Sequence, residues 1–410
     1  MFPRKITEKE LYISLVLFTL PPVWWFLGLP GKHLFGSILF TLAFFYYVED
    51  IKFRKIATSY PLLIWGFLTV YHLINAFYNK VPEVNALDIL HGFKIYACIV
   101  LVAYWGSLDF KEATRILLIS FLARCAVGLL LIFIFVGFNT HARMTGMGGS
   151  ATQTGQAAAI TGIFIAYYNI FKKCSVWKNC LLFALPFIVI IFTQSRNSLA
   201  MLLMSVFTTA IMYVNREKRM SVIKSITISI LLVTVLYFSY SIFLGTDFGH
   251  RAINVMEKTE TDKFYRIYST GTIFDTIVGD RLIYYVYGWD LFLTKPITGI
   301  GMWNYMYLTH GVYPLHSEYM VHLCEGGMIG ITLWSLFVLS VIGIILKYSK
   351  DIKIKVSALS SVFVLLFCGI YAREFYSEWF YPVYGLALAP YFDSKRWILE
   401  WLRIKLSNIK

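Results

Sequence analysis

Repeated apolar runs, most of them about 17 to 25 residues long, are the feature that most constrains this sequence. A helix of about 20 apolar residues crosses the hydrocarbon core of a bilayer, where every backbone N–H and C=O must be bonded inside the segment. Hydrophobic residues fill 58% of the 410 positions and charged residues only 15%, against about 25% charged in a soluble domain. The sequence therefore predicts an all-α polytopic membrane protein.

About twelve transmembrane helices are expected, with both termini in the cytoplasm. The predicted spans are 11–29, 34–48, 59–78, 88–106, 116–138, 151–171, 179–193, 197–214, 225–244, 318–346, 356–371 and 377–394. This topology puts 24 of the 37 Lys and Arg residues on the cytoplasmic side and 11 on the outer side, as the positive-inside rule requires. The net charge of +14 is thus explained by membrane topology and gives no support for nucleic-acid binding.

One connection is much longer than the others. Residues 245–317 follow the ninth span and are predicted to face the periplasm, where long loops are usually functional. The chain then divides into helices 1–9 over residues 1–244, this loop over residues 245–317, and helices 10–12 with a cytoplasmic tail over residues 318–410.

The loop contains one predicted amphipathic helix, in "GDRLIYYVYGWDLFLTKPITGIG". Asp280 is a candidate N-cap, residues 281–294 form the helix, and Pro296 prevents its continuation. Gly299 and Gly301 then allow a tight turn. Apolar residues recur at helical spacing and form a face that could lie on the membrane surface. They are Leu282, Tyr285, Trp289 and Phe292.

Arginines recur on the predicted outer side. They are Arg143, Arg196, Arg251, Arg266, Arg281 and Arg373. Any one of them can simply extend to lipid phosphates, but Arg196 occupies the tightest turn of the chain, which does not need a charge. A planar guanidinium binds a pyrophosphate well, so these residues are candidates for an anion site.

The stretch "PLHSEYMVHLCEGGMIG" places His316, Glu318, His322 and Glu325 where a span is predicted to begin. One interpretation makes His316 and Glu325 interfacial residues, and the glycines that follow Glu325 favour close helix packing. The histidines at 310, 316 and 322 fit no usual zinc spacing, so no metal is expected. The alternative is one half of an active site, in which Glu318 or Glu325 orients His316.

These motifs, taken in order, resemble the O-antigen ligase and O-antigen polymerase superfamily. The resemblance extends over about residues 140–335 and rests on "TQSR", the long outer loop, Arg281 at a helix start, "KPITGIG", "LHSE" and "EGGMIG". Members are membrane glycosyltransferases of the bacterial inner membrane that use glycans on undecaprenyl pyrophosphate and no metal or other cofactor.

The resemblance implies roles for individual residues. Arg196 and Arg281 would hold the donor pyrophosphate, and His316 would handle the acceptor hydroxyl, which makes these three the candidate catalytic residues. Candidate substrate-binding residues are Arg143, Arg266, Glu318, Glu325 and Arg373. The sequence departs from the family pattern in having Ser317 where Asn is common after the histidine, and Tyr285 where Trp is common.

The residue chemistry fits this reaction independently. Fixed arginines stabilise the charge that develops on the leaving pyrophosphate, and a histidine with an ordinary pKa of about 6.5 can accept a proton at neutral pH. Direct displacement would invert the anomeric centre.

Three functions remain open at this stage. The first is a polysaccharide polymerase that adds a lipid-linked repeat unit, with a chain-length regulator as a possible partner. The second is a ligase that transfers the finished glycan to lipid A–core. A transporter or lipid flippase is the third, and it would depend on Lys94 and Arg124, the basic residues inside predicted spans.

Overall fold

The structure is a computed structural model, and every regular element in its described residues is helical. It describes residues 6–27, 29, 32–81, 86–135, 151–172, 174–193, 195, 198–207, 282–308, 315, 317–370 and 380–393.

The helices before the long loop follow the predicted spans closely. They are α1 Glu8–Phe26, α2 Lys32–Tyr47, α3 Ile51–Ala57, α4 Tyr60–Tyr78, α5 Ala86–Leu108, α6 Phe110–Phe135, α7 Ala151–Phe171, α8 Val176–Thr193 and α9 Ser198–Phe207. The short helix α3 was not predicted. Its start is stabilised by Asp50, whose side chain accepts from the backbone N–H groups of Lys52 and Phe53, as an N-cap does.

The later helices confirm the predicted loop helix but change the tenth span. They are α10 Leu282–Thr294, α11 Asn304–Leu308, α12 Glu318–Met320, α13 Gly327–Tyr348, α14 Ile352–Gly369 and α15 Tyr381–Asp393. The prediction of one continuous helix from residue 318 is wrong. A π-helical turn over Val321–Glu325 separates α12 from the apolar helix α13.

Five described helices are long and apolar enough to cross a membrane: Tyr60–Tyr78, Phe110–Leu131, Val176–Thr193, Gly327–Tyr348 and Ile352–Gly369. The number twelve, the direction of each span and the location of the termini stay predictions. The ninth predicted span, 225–244, and most of the long loop lie outside the described residues.

Helix α4 joins the first part of the chain to the last. It begins after Ser59 with Pro61 in its first turn, where a missing N–H costs nothing. Its Trp65 is fully buried between Phe337 of α13 and Tyr381 of α15, at ring-centroid distances of 4.8 Å and 5.2 Å. This aromatic contact fixes α4 against α13, the helix that follows the π turn.

The turn after α10 depends on glycine, as its sequence indicates. Gly299 and Gly301 have φ values of +74° and +99°, which side chains rarely adopt. A Cβ at Gly299 would also lie 2.5 Å from the backbone of Glu325 and from the N of Gly327. The turn and the helix break therefore touch through their main chains.

We expect Gly299→Ala to lower the free energy of unfolding by about 2 kcal/mol, because it adds a strained φ to a backbone clash. Thermal unfolding of the detergent-solubilised protein measures this loss. Gly343→Ala is the matched control, since Gly343 lies within α13 with no atom within 4 Å of an added Cβ. The control should gain up to about 1 kcal/mol from helix propensity. Equal midpoints for both variants would contradict the main-chain contact.

Candidate functional site

The break in the helix before α13, over residues 321–326, receives hydrogen bonds from the turn that follows α10. The π turn and the positive φ of Gly327 take backbone groups out of the helical ladder. Ile300 N donates to Cys324 O and Gly301 N donates to Glu325 O, both at 3.0 Å. In the other direction, Met328 N donates to Pro296 O at 2.9 Å. Residues 296–301 therefore act as the missing hydrogen-bond partner of the break.

Two polar side chains of α4 hold this assembly together. The Tyr71 hydroxyl lies 2.9 Å from Thr298 O and 2.8 Å from Gly326 O. The Asn75 amide donates to Thr298 O at 2.6 Å and to Glu325 O at 2.9 Å. Each side chain thus connects the turn and the break to the same helix.

A buried chain of three ionisable side chains runs through the π turn. His322 Nε2 lies 3.1 Å from Glu318 Oε1, and His322 Nδ1 lies 3.1 Å from His72 Nε2 of α4. The three residues are at most 1% exposed. The ring of Trp334 stacks on His322 with centroids 5.5 Å apart. We refer to Glu318, His322 and His72 as the buried triad.

Ser317 forms a second junction, between the loop helix and the end of α14. Its hydroxyl is the N-cap of α12 and accepts from Met320 N. The Tyr285 hydroxyl of α10 donates to Ser317 Oγ at 3.0 Å and also contacts the carbonyl of Ile370. Tyr285, four residues after Arg281, therefore touches the residue that follows His316.

The turn between α8 and α9 is lined by small hydroxyl residues. Thr193, Ser195 and Ser198 are at most 2% exposed, and Ser195 Oγ lies 2.6 Å from Ser198 Oγ. All three pack on Gly155 of α7, where a Cβ would lie within 3.0 Å of each. This is the turn whose sequence contains Arg196.

Most of the predicted site residues fall outside the described part of the chain. They are Arg143, Arg196, Arg266, Arg281, His316 and Arg373. Glu318 and Glu325 are described and are each 1% exposed. Glu318 belongs to the buried triad, whereas the main chain of Glu325 receives the bonds from the turn and from Asn75.

Sequence reasoning missed the contribution of α4. Tyr71, His72 and Asn75 lie about 250 positions before their partners, so no local motif connects them. The available signal was the polar pair His72 and Asn75, three residues apart inside an apolar span, where polar residues are costly and usually functional. His322 was grouped with its ionisable neighbours and tested for metal-ligand spacing, and no partner outside that stretch was predicted for it.

Cys324, within the π turn, is not a candidate nucleophile. Its side chain is fully buried in the core. Reactive cysteines are partly exposed, so this thiol serves packing.

The two basic residues of predicted spans are packed between helices. Arg124 of α6 is 3% exposed and donates to Phe18 O of α1 at 3.2 Å. Lys94 of α5 is 5% exposed and lies beside Gly36 of α2. Both side chains therefore lie where two helices pack against each other.

Residues 181–335 match the family model described as O-antigen ligase. The match covers the turn of Arg196, the long loop, the helix break and the start of α13, and it confirms the resemblance to the O-antigen ligase and polymerase superfamily. It implies glycosyl transfer by a membrane enzyme that acts on lipid-linked glycans. No curated protein matches the chain.

We expect Tyr285→Phe to lower the free energy of unfolding by about 1 to 2 kcal/mol, because it removes the donor that joins α10 to Ser317 and α14. Thermal unfolding in detergent measures the change. Tyr287→Phe is the control on the same helix, since Tyr287 is 46% exposed, and it should change the midpoint little. A Tyr285→Phe midpoint equal to that of the control would show that the junction contributes no stability.

Proposed function

We propose that this protein transfers a glycan from undecaprenyl pyrophosphate to an acceptor hydroxyl at the periplasmic face of the bacterial inner membrane. The best candidate is a polysaccharide polymerase that joins a growing chain to a lipid-linked repeat unit. The observation that carries the proposal is the O-antigen ligase match over residues 181–335, which contains both Tyr285 and Ser317.

The convergence at Ser317 supports an acceptor side made from two distant segments. The contact from Tyr285 to Ser317 joins a residue one helical turn after Arg281 to the residue next to His316. We propose that Arg281 binds the donor pyrophosphate close to His316, which takes the proton of the acceptor hydroxyl.

The remaining donor-side residue is Arg196. Its turn packs on Gly155 of α7, and α7 contacts α14. The carbonyl groups at the end of α14 accept hydrogen bonds from the hydroxyl groups of Ser317 and Tyr285. If α7 and α14 run in opposite directions, as the predicted topology requires, the turn and Ser317 lie at the same end of this helix pair. This placement supports a single site that contains Arg196, Arg281 and His316.

The proposed reaction is a direct displacement. The acceptor oxygen bonds to the anomeric carbon while the bond from that carbon to the pyrophosphate breaks, and its electron pair stays on the pyrophosphate. The acceptor proton passes to His316. Two arginines stabilise the departing charge more strongly in the transition state than in the ground state, so the proposed mechanism is metal-independent and inverting.

Three of the other outer arginines and both glutamates are proposed to bind substrate. Arg143, Arg266 and Arg373 would contact phosphate or sugar, while Glu318 and Glu325 would act on the acceptor side. A chain-length regulator is proposed as a protein partner of the polymerase.

The second candidate function is O-antigen ligase, which transfers the glycan to lipid A–core. The description of the matching family favours it, and the same donor and catalytic groups serve both reactions. Complementation of a deletion host separates them by gel analysis of the surface polysaccharide. A host that has single repeat units on lipid A–core and regains laddering with the wild-type gene indicates polymerase. A host that accumulates unattached lipid-linked chains indicates ligase. No product in either host would contradict the proposed function.

We expect Arg281→Lys to lose nearly as much activity as Arg281→Ala, on the order of 100-fold or more, because a point charge does not reproduce a bidentate guanidinium. The assay is transfer of a labelled glycan in isolated membranes. Arg115→Ala is the control, since Arg115 is exposed on α6 and pairs with Glu112 of the same helix. Near-normal transfer by the lysine variant would show that charge alone is sufficient.

We also expect chelators to leave the transfer rate unchanged, because arginines rather than a cation are proposed to neutralise the leaving group. The same assay with and without a chelator measures this. A rate that falls with chelator and recovers on adding magnesium or zinc would contradict the metal-independent mechanism.

A further inference from the structure

The buried triad contains more ionisable groups than helix packing requires. His72 of α4 and His322 of the π turn are 0% exposed and Glu318 is 1% exposed. Amide side chains already join the same helices, as Asn75 shows by bonding two carbonyls. Buried ionisable groups are costly unless they are fully bonded, so a row of three points to a role beyond packing.

The direction of the hydrogen bonds in the triad follows from the chemistry of its ends. An ionised Glu318 only accepts, so with this carboxyl ionised His322 Nε2 carries the proton that faces Glu318 Oε1. In the neutral ring, His322 Nδ1 then accepts, and His72 Nε2 must donate to it. Both imidazoles thus donate in series, from α4 towards Glu318.

Several contacts keep the triad in this arrangement. Trp334 stacks on His322, and the absence of side chains at Gly326 and Gly330 leaves room for the His72 ring, whose Cε1 would lie 2.8 Å and 3.6 Å from a Cβ at these positions. The π turn contains His322 and directly follows α12. Such turns occur frequently at functional sites.

The triad ends beside the acceptor-side junction. Glu318 follows Ser317, lies against Gly369 of α14, and stands two positions after His316 in the sequence. Its Oε1 atom takes the bond from His322. Glu325 differs, because its main chain is fixed by Gly301 and Asn75 at the far end of the π turn.

We propose that His72 and His322 are positioning residues of the acceptor side: they donate in series to Glu318 and fix the carboxylate that orients the proton acceptor. This inference rests on the proposed function, since it concerns the proton released by the acceptor hydroxyl. It assigns Glu318 rather than Glu325 to this role, and it extends the site to α4, outside the matched residues 181–335.

The test is a double-mutant cycle measured as glycan transfer in isolated membranes, normalised to folded protein. His72→Phe should lower kcat about 10- to 100-fold, as loss of an outer orienting partner does, with little change in the KM for the lipid-linked donor. His72→Gln should recover most of the wild-type kcat, because its amide can donate from the position of Nε2. In a Glu318→Gln background, His72→Phe should have no further effect, because the carboxylate that the two imidazoles position is already absent.

Tyr104→Phe is the control for a loss of stability alone. It removes a buried hydroxyl that donates to Asp50 Oδ2 at 2.7 Å, so the thermal midpoint should fall while kcat of the folded protein is unchanged. If His72→Phe does not accumulate in the membrane, His72→Asn takes its place, since its amide is too short to reach His322. Independent losses from His72→Phe and Glu318→Gln would overturn the positioning role, and so would wild-type kcat for His72→Phe or for the His72→Asn variant that stands in for it. A wild-type protein that transfers no glycan would overturn the proposed function itself, and this inference with it.

Discussion

The arrangement of the candidate site depends on the hydrogen bonds that a broken helix leaves unmade. Between α12 and α13 the chain passes through a π turn and a residue with positive φ. Cys324 and Glu325 are buried, and buried main-chain groups have no water to bind and must be satisfied by protein. Residues 296–301 supply donors to Cys324 and Glu325 and acceptors to Met328 and Ile329. The loop after α10 is therefore held as firmly as a helical turn, and α10 with it.

Helix α4 makes this arrangement unique. The turn and the break could satisfy each other in isolation, but Tyr71 and Asn75 each bond to both of them at once. A shift of α4 by one residue would remove all four contacts together. In some proteins a polar side chain in an apolar helix fixes the register of that helix against its neighbours, at some cost in stability. The matched segment 181–335 thus relies on a helix from the first fifth of the chain.

The sequence predicts the local elements well and the long-range contacts poorly. Apolar length located the helices near the observed bounds, and Pro296 and Gly299 indicated where α10 ends and the chain turns. The break at residues 321–326 was missed, because "EYMVHLCEGGMIG" has the composition of a helix start, and a π turn has no distinct apolar period. The partnership of His72 with His322 was missed for a different reason. It joins positions 250 residues apart, and only the folded chain brings them together.

The rigidity of the acceptor side and the position of the buried triad have a common origin. An imidazole that donates to a carboxylate is useful for orientation only if its own ring cannot rotate, and His322 is restrained on three sides by His72, Glu318 and Trp334. Trp334 belongs to α13 and His72 to α4, the two helices that the contact of Trp65 with Phe337 already holds together. The packing of Trp65 against Phe337 therefore sets the relative position of α4 and α13, and with it the geometry of the buried triad. Burial strengthens this coupling, because at low dielectric a misaligned donor loses more than it would in water.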